Sequence, residues 1–530
     1  MKRGLKIGVA LVLGACLNQQ INFIPNAGAK EFVAKVKPGV AFTLDQNSGM
    51  SVLDVHAEGS LILVDIDERH EGVLLTRLFN TDGVDYVVPN FKLHRLAEPV
   101  SAAALREQWA ISKVNALKAW TLAGHRGKKE IVVAVIDTGV DYNHESLKTN
   151  MVPGFDYAEN DADPMDKTSF QNPGHGTHCA GIIGANGAIE NGTIGIAPGV
   201  SIMPIRFLDE RGSGDLMNGI KAMDFAIQNN VRVISASWGA AVPESQARPL
   251  IEAVQRVSDA NIVFVAAAAN DGKNNDKVSM YPANARFANT ISVAASNSSD
   301  GKPNWSNYGR ANVDIAAPGD AILSTLPGHK YGELSGTSMA TPLVSGSVAL
   351  LLSQDPTLTG AQLRSILQAT GSKVSIETAC NCRIDVGAAM ETVVAKKMTV
   401  VPAAATIKPA GTLQFGAIFG EGALRFESSN PAVAEISATG MLTAKSVGEV
   451  TVTVTDAKGT AARSLPVFVA EASSTNPDPG EPGNPGGGEC PFPDENTCKV
   501  ACEILPSLPW CSGGNQIMDL NETIQAWSEL

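Results

Sequence analysis

Between about Gln108 and Met390 the chain alternates short, continuously apolar runs with helical segments, and this alternation limits the fold more than any other feature. The runs IVVAVI, VSIMPIRFL, VRVISAS, IVFVAAAA and NTISVAA read as strands, with helices such as GDLMNGIKAMDFAIQ between them. A strand without polar alternation is buried on both faces. The segment is therefore expected to be an α/β fold, a parallel sheet covered by helices on both sides. Ligands of such a sheet bind outside the carboxyl ends of its strands.

The 530 residues exceed what one hydrophobic core usually organises, and the flanking text differs in kind. Residues 30–97 carry EFVAKV, SLILVDI and VDYVVPNFKLHRL and are expected to form a small α+β unit, with the Ala-rich polar stretch 98–107 as a linker into residues 108–392. Residues 398–470 show short alternating strands such as EVTVTVTD, the turn signals SSNP and ATG, and no helical period, which is a β-sandwich in outline. Residues 471–489 include TNPDPGEPGNPGGGE, a flexible Pro/Gly linker, and lead into a Cys-rich tail, 490–530. A net charge of -13 and the lack of a long Lys/Arg run exclude nucleic acid as a partner.

At the start, Lys2, Arg3 and Lys6 precede an apolar run from Ile7 to Ala15 that is too short to span a bilayer and reads as an export signal, residues 1–16. Its end, LGAC, resembles the lipobox of bacterial lipoproteins, in which the cysteine is lipidated. Cys16 is thus expected to anchor the protein to a membrane; the alternative is cleavage at the A-x-A of Ala27 and Ala29, giving a secreted form. Either way the chain is expected to leave a bacterial cytoplasm. In that compartment Cys490, Cys498, Cys502 and Cys511 read as two disulfides, with a zinc site as the rival. Cys380 and Cys382 form a close C-x-C pair, and a bond between them would close an unusually tight ring.

Three segments carry the chemistry. In AVIDTGVDYNH a buried strand delivers Asp137 to its carboxyl end, just before a turn at Gly139. In PGHGTHCAGIIG, Gly174 and Gly176 leave His175 uncrowded ahead of a small-residue helix; His175 and His178 also have metal-pair spacing, but no Glu completes an H-E-x-x-H site, so His175 is read as a base and His178 as its structural neighbour. In LSGTSMATPLVSGSVALLL, Ser338 opens an apolar helix, where unpaired N–H groups stabilise a nearby anion. Taken singly, each has a structural explanation: a turn, a core histidine, an N-cap.

Together, in the order Asp, His, Ser on an alternating α/β chain, the three segments resemble the subtilisin family of serine endopeptidases over roughly Gln108 to Met390. The resemblance implies a doubly wound parallel sheet, no cofactor for catalysis, and Asp137, His175 and Ser338 as charge partner, general base and nucleophile. It also implies Asn270, in IVFVAAAANDG, as an oxyanion donor, although this chain has Ala269 where the family usually has Gly, so a slight change in backbone angles is expected. Peptide substrates would add as a strand to Gly212, Ser213 and Gly214 and to Ser237, Trp238 and Gly239. Met280 would fill the specificity pocket and disfavour bulky aromatic residues. Asp156, Asp161, Asp163 and Asp166 crowd hard oxygen ligands into one loop, which suits Ca²⁺ and resembles a structural calcium loop of thermostable relatives, the alternative being a solvated acidic loop; Ser146 stands where another family site needs Asp.

By the same resemblance residues 30–97 would be an inhibitory and chaperoning prodomain, removed by cleavage between Leu96 and Gln108. SSNPAVAEISATGMLTAKSVGEVTVTVTD is similar to the bacterial immunoglobulin-like group 2 module, a spacer or adhesive element. Two other readings compete: an adhesive scaffold with a degenerate protease domain, disfavoured by the complete residue set, and an esterase or lipase, disfavoured because Ala340 breaks the G-x-S-x-G elbow.

Overall fold

The computed structural model describes residues 29–37, 49–56, 58–67, 71–95, 98–99, 108–188 and 192–471. The export signal with Cys16, nearly all of the 98–107 linker, the Pro/Gly linker from 472 onward and the tail cysteines Cys490, Cys498, Cys502 and Cys511 lie outside the described residues. Two compact units are present.

The first includes the described residues up to Phe91. Its strands β1 (Ala29–Val36), β2 (Met50–His56), β3 (Leu61–Asp67) and β4 (Val84–Pro89) form an antiparallel sheet in the order β2-β3-β1-β4, with helix α1 (Glu71–Phe79) between β3 and β4. Alternation explains the strands: Ile62, Val64 and Ile66 point to one face and meet Phe32, Ala34 and Val36 there. Leu74 and Leu78, one helical turn apart on α1, complete that core.

The second unit covers Lys92–Val242 and Leu250–Ser474. It opens with β5 (Lys92–Arg95), β6 (Glu98–Pro99), α2 (Trp109–Lys113) and α3 (Ala116–Ala123). The chain then runs through β7 (Val132–Asp137), β8 (Phe155–Asp156), α4 (His175–Gly184), β9 (Ser201–Arg206), β10 (Ser213–Asp215), α5 (Leu216–Gln228), β11 (Val233–Ala236), β12 (Trp238–Gly239), α6 (Glu244–Asp259), β13 (Val263–Ala267) and β14 (Thr290–Ser296). It continues with β15 (Ile315–Pro318), β16 (Ile322–Leu326), β17 (Lys330–Ser335), α7 (Thr337–Gln354), α8 (Gly360–Thr370), β18 (Ser372–Lys373), β19 (Cys382–Arg383) and α9 (Val386–Val394).

Nine strands form one sheet in the order β18-β19-β15-β14-β13-β11-β7-β9-β8, parallel except for the β18–β19 edge pair. The central strands are apolar on both faces because both are covered: Val133 and Val135 of β7 join the core built with α4 and α7, while Ala134 and Ile136 are buried on the opposite face. Helix α7 is buried at every position from Thr337 to Ser353, so it lies inside the unit with no solvent face to keep polar. From β7 the chain moves to β9 on one side and returns to β11 on the other. Such a reversal opens a crevice at the carboxyl ends of the strands.

Residues 399–469 contain only short strands, which enclose a core of Val400, Phe415, Leu442, Val450, Val452, Val454, Val467 and Val469. This segment, separated from 108–392 by the sequence pattern, belongs to the same compact unit. The physical reason is apolar: Ile418 joins the core that contains Leu363, Ile366, Ala389 and Val393 of α8 and α9, and Val401, Phe419 and Leu465 pack against it. The Arg310 guanidinium lies 4.1 Å from the centre of the Phe468 ring. Cys380 and Cys382 form a disulfide in the approach to β19, and Cys179 is a buried free thiol. Among the described residues no helix is long and apolar enough to cross a membrane.

Candidate active site

Asp137 is the last residue of β7, Ser237 directly follows β11, and Asn270 comes three residues after β13, so one end of the sheet gathers all three. Asp137, His175 and Ser338 are buried, at 1%, 0% and 0% exposure. His175 begins α4, and its entry is fixed by Asn172, whose Oδ1 accepts the N–H of Gly174 at 3.1 Å and of His175 at 2.9 Å. Gly176 is required next to it: a Cβ there would fall 2.1 Å from the carbonyl oxygen of Gly139.

The imidazole Nδ1 lies 2.7 Å from Asp137 Oδ1, which also accepts the Thr138 N–H at 2.7 Å. A carboxylate only accepts, so Nδ1 carries the proton and Nε2 is the basic nitrogen. Nε2 is buried and has no hydrogen-bond partner among the described residues. Ser338 is the second residue of α7; its hydroxyl donates to Ser237 O at 3.0 Å, and its carbonyl accepts from Ser237 Oγ at 2.9 Å and from Cys179 Sγ at 3.5 Å. Asp137, His175 and Cys179 bring ligand-type atoms within 4.8 Å of one another, the only such trio among the described residues. Burial, reinforced by the Asp137 charge, pushes the Cys179 thiol well above its usual range, so it packs as a neutral group.

Asn270 Oδ1 accepts the Thr337 N–H at 2.9 Å and the Thr337 hydroxyl at 3.0 Å. The amide donors therefore face away from Thr337. Ala269, standing where the family usually has Gly, holds φ at 93°, a glycine-type conformation, with its N–H on Thr337 Oγ1 at 3.2 Å. Such strain costs about 1–3 kcal/mol and persists only where the surroundings enforce it.

The two proposed substrate-binding stretches flank β5. In a three-stranded antiparallel sheet ordered β10-β5-β12, Ser213 pairs with His94, Gly214 with Leu93 and Asp215 with Lys92, while Trp238 pairs with Arg95 and Gly239 with His94. Beyond this, β6 pairs with β17, Glu98 opposite Ser335. Leu93 is fully buried beside Gly219. Gly212 takes the positive φ, 76°, of the turn that opens β10. The Trp238 side chain turns inward, donating Nε1–H to Ile136 O at 2.7 Å, so it offers this strand only backbone. Met280 is buried, with Sδ against Gly239.

The four acids read as a calcium loop do not fit a shared ion. Asp156 is fully buried in an ion pair with Arg206, which already neutralises it. Both oxygens of Asp166 are taken by donors: Oδ1 by Thr138 Oγ1 and Asn172 Nδ2, Oδ2 by the N–H and hydroxyl of Thr177. Asp161 accepts the Asp163 N–H at 2.8 Å, and Asp163 accepts from Tyr142. Asp166 thus supports the histidine loop. Burial outweighs its four hydrogen bonds and raises its carboxyl to about 6. Asn172 was missed from sequence, although Asn-Pro-Gly before the histidine signals a side-chain-stabilised turn. His178 donates Nε2–H to Gly332 O at 3.0 Å, and burial lowers it to about 3.

Residues 128–402 match the model of the subtilase family, and residues 394–467 that of the bacterial Ig-like domain (group 2). Thermitase of Thermoactinomyces vulgaris is 39% identical over 51% of this chain and 89% of its own. The thermophilic serine proteinase of Bacillus sp. (strain AK1) is 35% identical over 56% and 70%, and subtilisin E of Bacillus subtilis (strain 168) is 36% identical over 54% and 70%. With the match spanning more than half its length, the chain belongs to the subtilase family of serine endopeptidases.

Proposed function

We propose that this peptide-bond hydrolase uses Ser338 as nucleophile, His175 as general base and Asp137 as the carboxylate that fixes the imidazole. The single observation carrying the assignment is the buried Asp137–His175 hydrogen bond, which puts the proton on Nδ1 and leaves Nε2 unpaired. In the reaction, Ser338 Oγ attacks the substrate carbonyl carbon as its proton passes to His175 Nε2. The tetrahedral oxyanion takes donors from the Asn270 amide and the backbone N–H of Ser338. Collapse breaks the C–N bond, the amine leaves with the proton from Nε2, and water repeats the sequence to free the acid from the acyl-enzyme. No cofactor enters this scheme.

The same reading makes the chain a zymogen. Residues 30–97 would be the prodomain, β5 its inhibitory end held between β10 and β12, and maturation would cut between Leu96 and Gln108. The antiparallel register of β5 supports this, since it is the pairing an extended substrate would make with the same two strands. Residues 398–470 would be an Ig-like β-sandwich, and the basic-apolar start would export the protein, with Cys16 lipidated or removed. Calcium bound by the four loop acids is not part of the proposal. Replacing Ser338 with Ala tests it: the precursor is expected to keep its full size and cleave no casein, and phenylmethylsulfonyl fluoride to label Ser338 in the parent. Maturation of the variant, or labelling elsewhere, would refute the assignment.

A further inference from the structure

Asp215 stands at the N-cap of α5 with extended backbone, the position where an aspartate ordinarily accepts a backbone N–H of the first turn, yet its side chain makes no capping bond. Instead it reaches across the strand register to its partner Lys92 and forms an ion pair with Nζ, the side chains being 30% and 59% exposed. Both line an open cavity of about 430 Å³ together with Phe207, Asp209 and Arg211. Asp209 Oδ1 is engaged by the N–H groups of Arg211 and Ser213, at 2.9 and 3.0 Å. Without Lys92 the cavity wall keeps two carboxylates against one guanidinium.

We propose that Asp215 is a specificity-determining residue that selects a lysine or arginine at the substrate position now taken by Lys92, three residues before the one that pairs with Trp238. This rests on the reading that β5 occupies the place of a substrate strand and departs on maturation. Backbone pairing alone accepts any sequence, so a charged wall at one register position is where selection can arise. The pair is partly exposed, which sets the size of the effect: an ion pair of this kind changes affinity by about two- to fivefold.

The test uses the mature enzyme and synthetic peptides spanning residues 89–100 with Lys, Arg, Ala or Glu at position 92. Lys and Arg peptides are expected to exceed the Ala peptide about two- to fivefold in kcat/KM, and the Glu peptide by roughly tenfold, mainly through KM. The ranking should collapse to within about twofold in Asp215→Asn and in molar salt, which screens exposed charge. Four peptides cleaved alike by the parent enzyme, or a ranking that survives Asp215→Asn, would overturn the proposal while leaving the protease reading intact. If the mature enzyme cleaves casein but none of the peptides, β5 is not substrate-like and both fall together.

Discussion

His178 should make the protein acid-sensitive, and the size of the effect follows from its surroundings. Its ring is fully buried one turn along α4 from His175, donates to Gly332 O, and is driven by burial from an ordinary 6.5 to about 3. The folded protein therefore refuses a proton that the unfolded chain accepts. Stability from this group is complete above pH 6.5 and is lost as the pH falls toward 3. Between pH 7 and pH 5 the loss is about 2 kcal/mol. Asp166 works in the opposite sense: its folded carboxyl titrates at about 6 against 3.8 when free, so the same acidification stabilises the fold by about 1 kcal/mol. Replacing His178 with Gln keeps a donor for Gly332 and removes only the titration. His125 and His144, held below their usual range by burial, affect parent and variant alike. Urea unfolding followed by tryptophan fluorescence, in the Ser338→Ala background to prevent self-digestion, should show the parent losing about 2 kcal/mol more than the variant between the two pH values. Parallel losses would refute the reasoning.

Asn270→Ala should lower kcat about 10²- to 10³-fold with little change in KM, since the lost donor acts on the oxyanion; a change confined to KM would assign Asn270 to ground-state binding. Met280→Gly should raise the kcat/KM of peptides with Phe before the cleaved bond, and a parent enzyme that already prefers Phe there would disprove pocket filling by Met280. Replacing Cys380 and Cys382 with Ser should cost only about 1.5 kcal/mol, because so short a loop restricts the unfolded chain little. A loss several times larger in thermal unfolding would show that this disulfide sets the local fold.

The catalytic sheet was legible because its strands are apolar on both faces, a pattern set by burial and visible in IVVAVI or IVFVAAAA without any partner. Asp137 was legible for the same reason, at the end of such a run, whereas Asn270, just beyond the end of another, was implied only by the family resemblance. Asp166 was misread because acidic residues crowded in a loop suggest a cation, whereas its burial beneath Thr138 and Thr177 depends on the three-dimensional path of 164–177. Arg206 was not singled out: only the β8–β9 register places it against Asp156. The union of 399–469 with the catalytic core was equally hidden, since Ile418 and Leu465 look like any other strand residues until α8 and α9 are beside them.

That union has a mechanical consequence. With Phe468 under the Arg310 guanidinium and Ile418 sunk among residues of α8 and α9, the Ig-like segment is fastened to the catalytic core by its own apolar side chains. Snipping it away near Lys397 would strip two helices of their greasy cover.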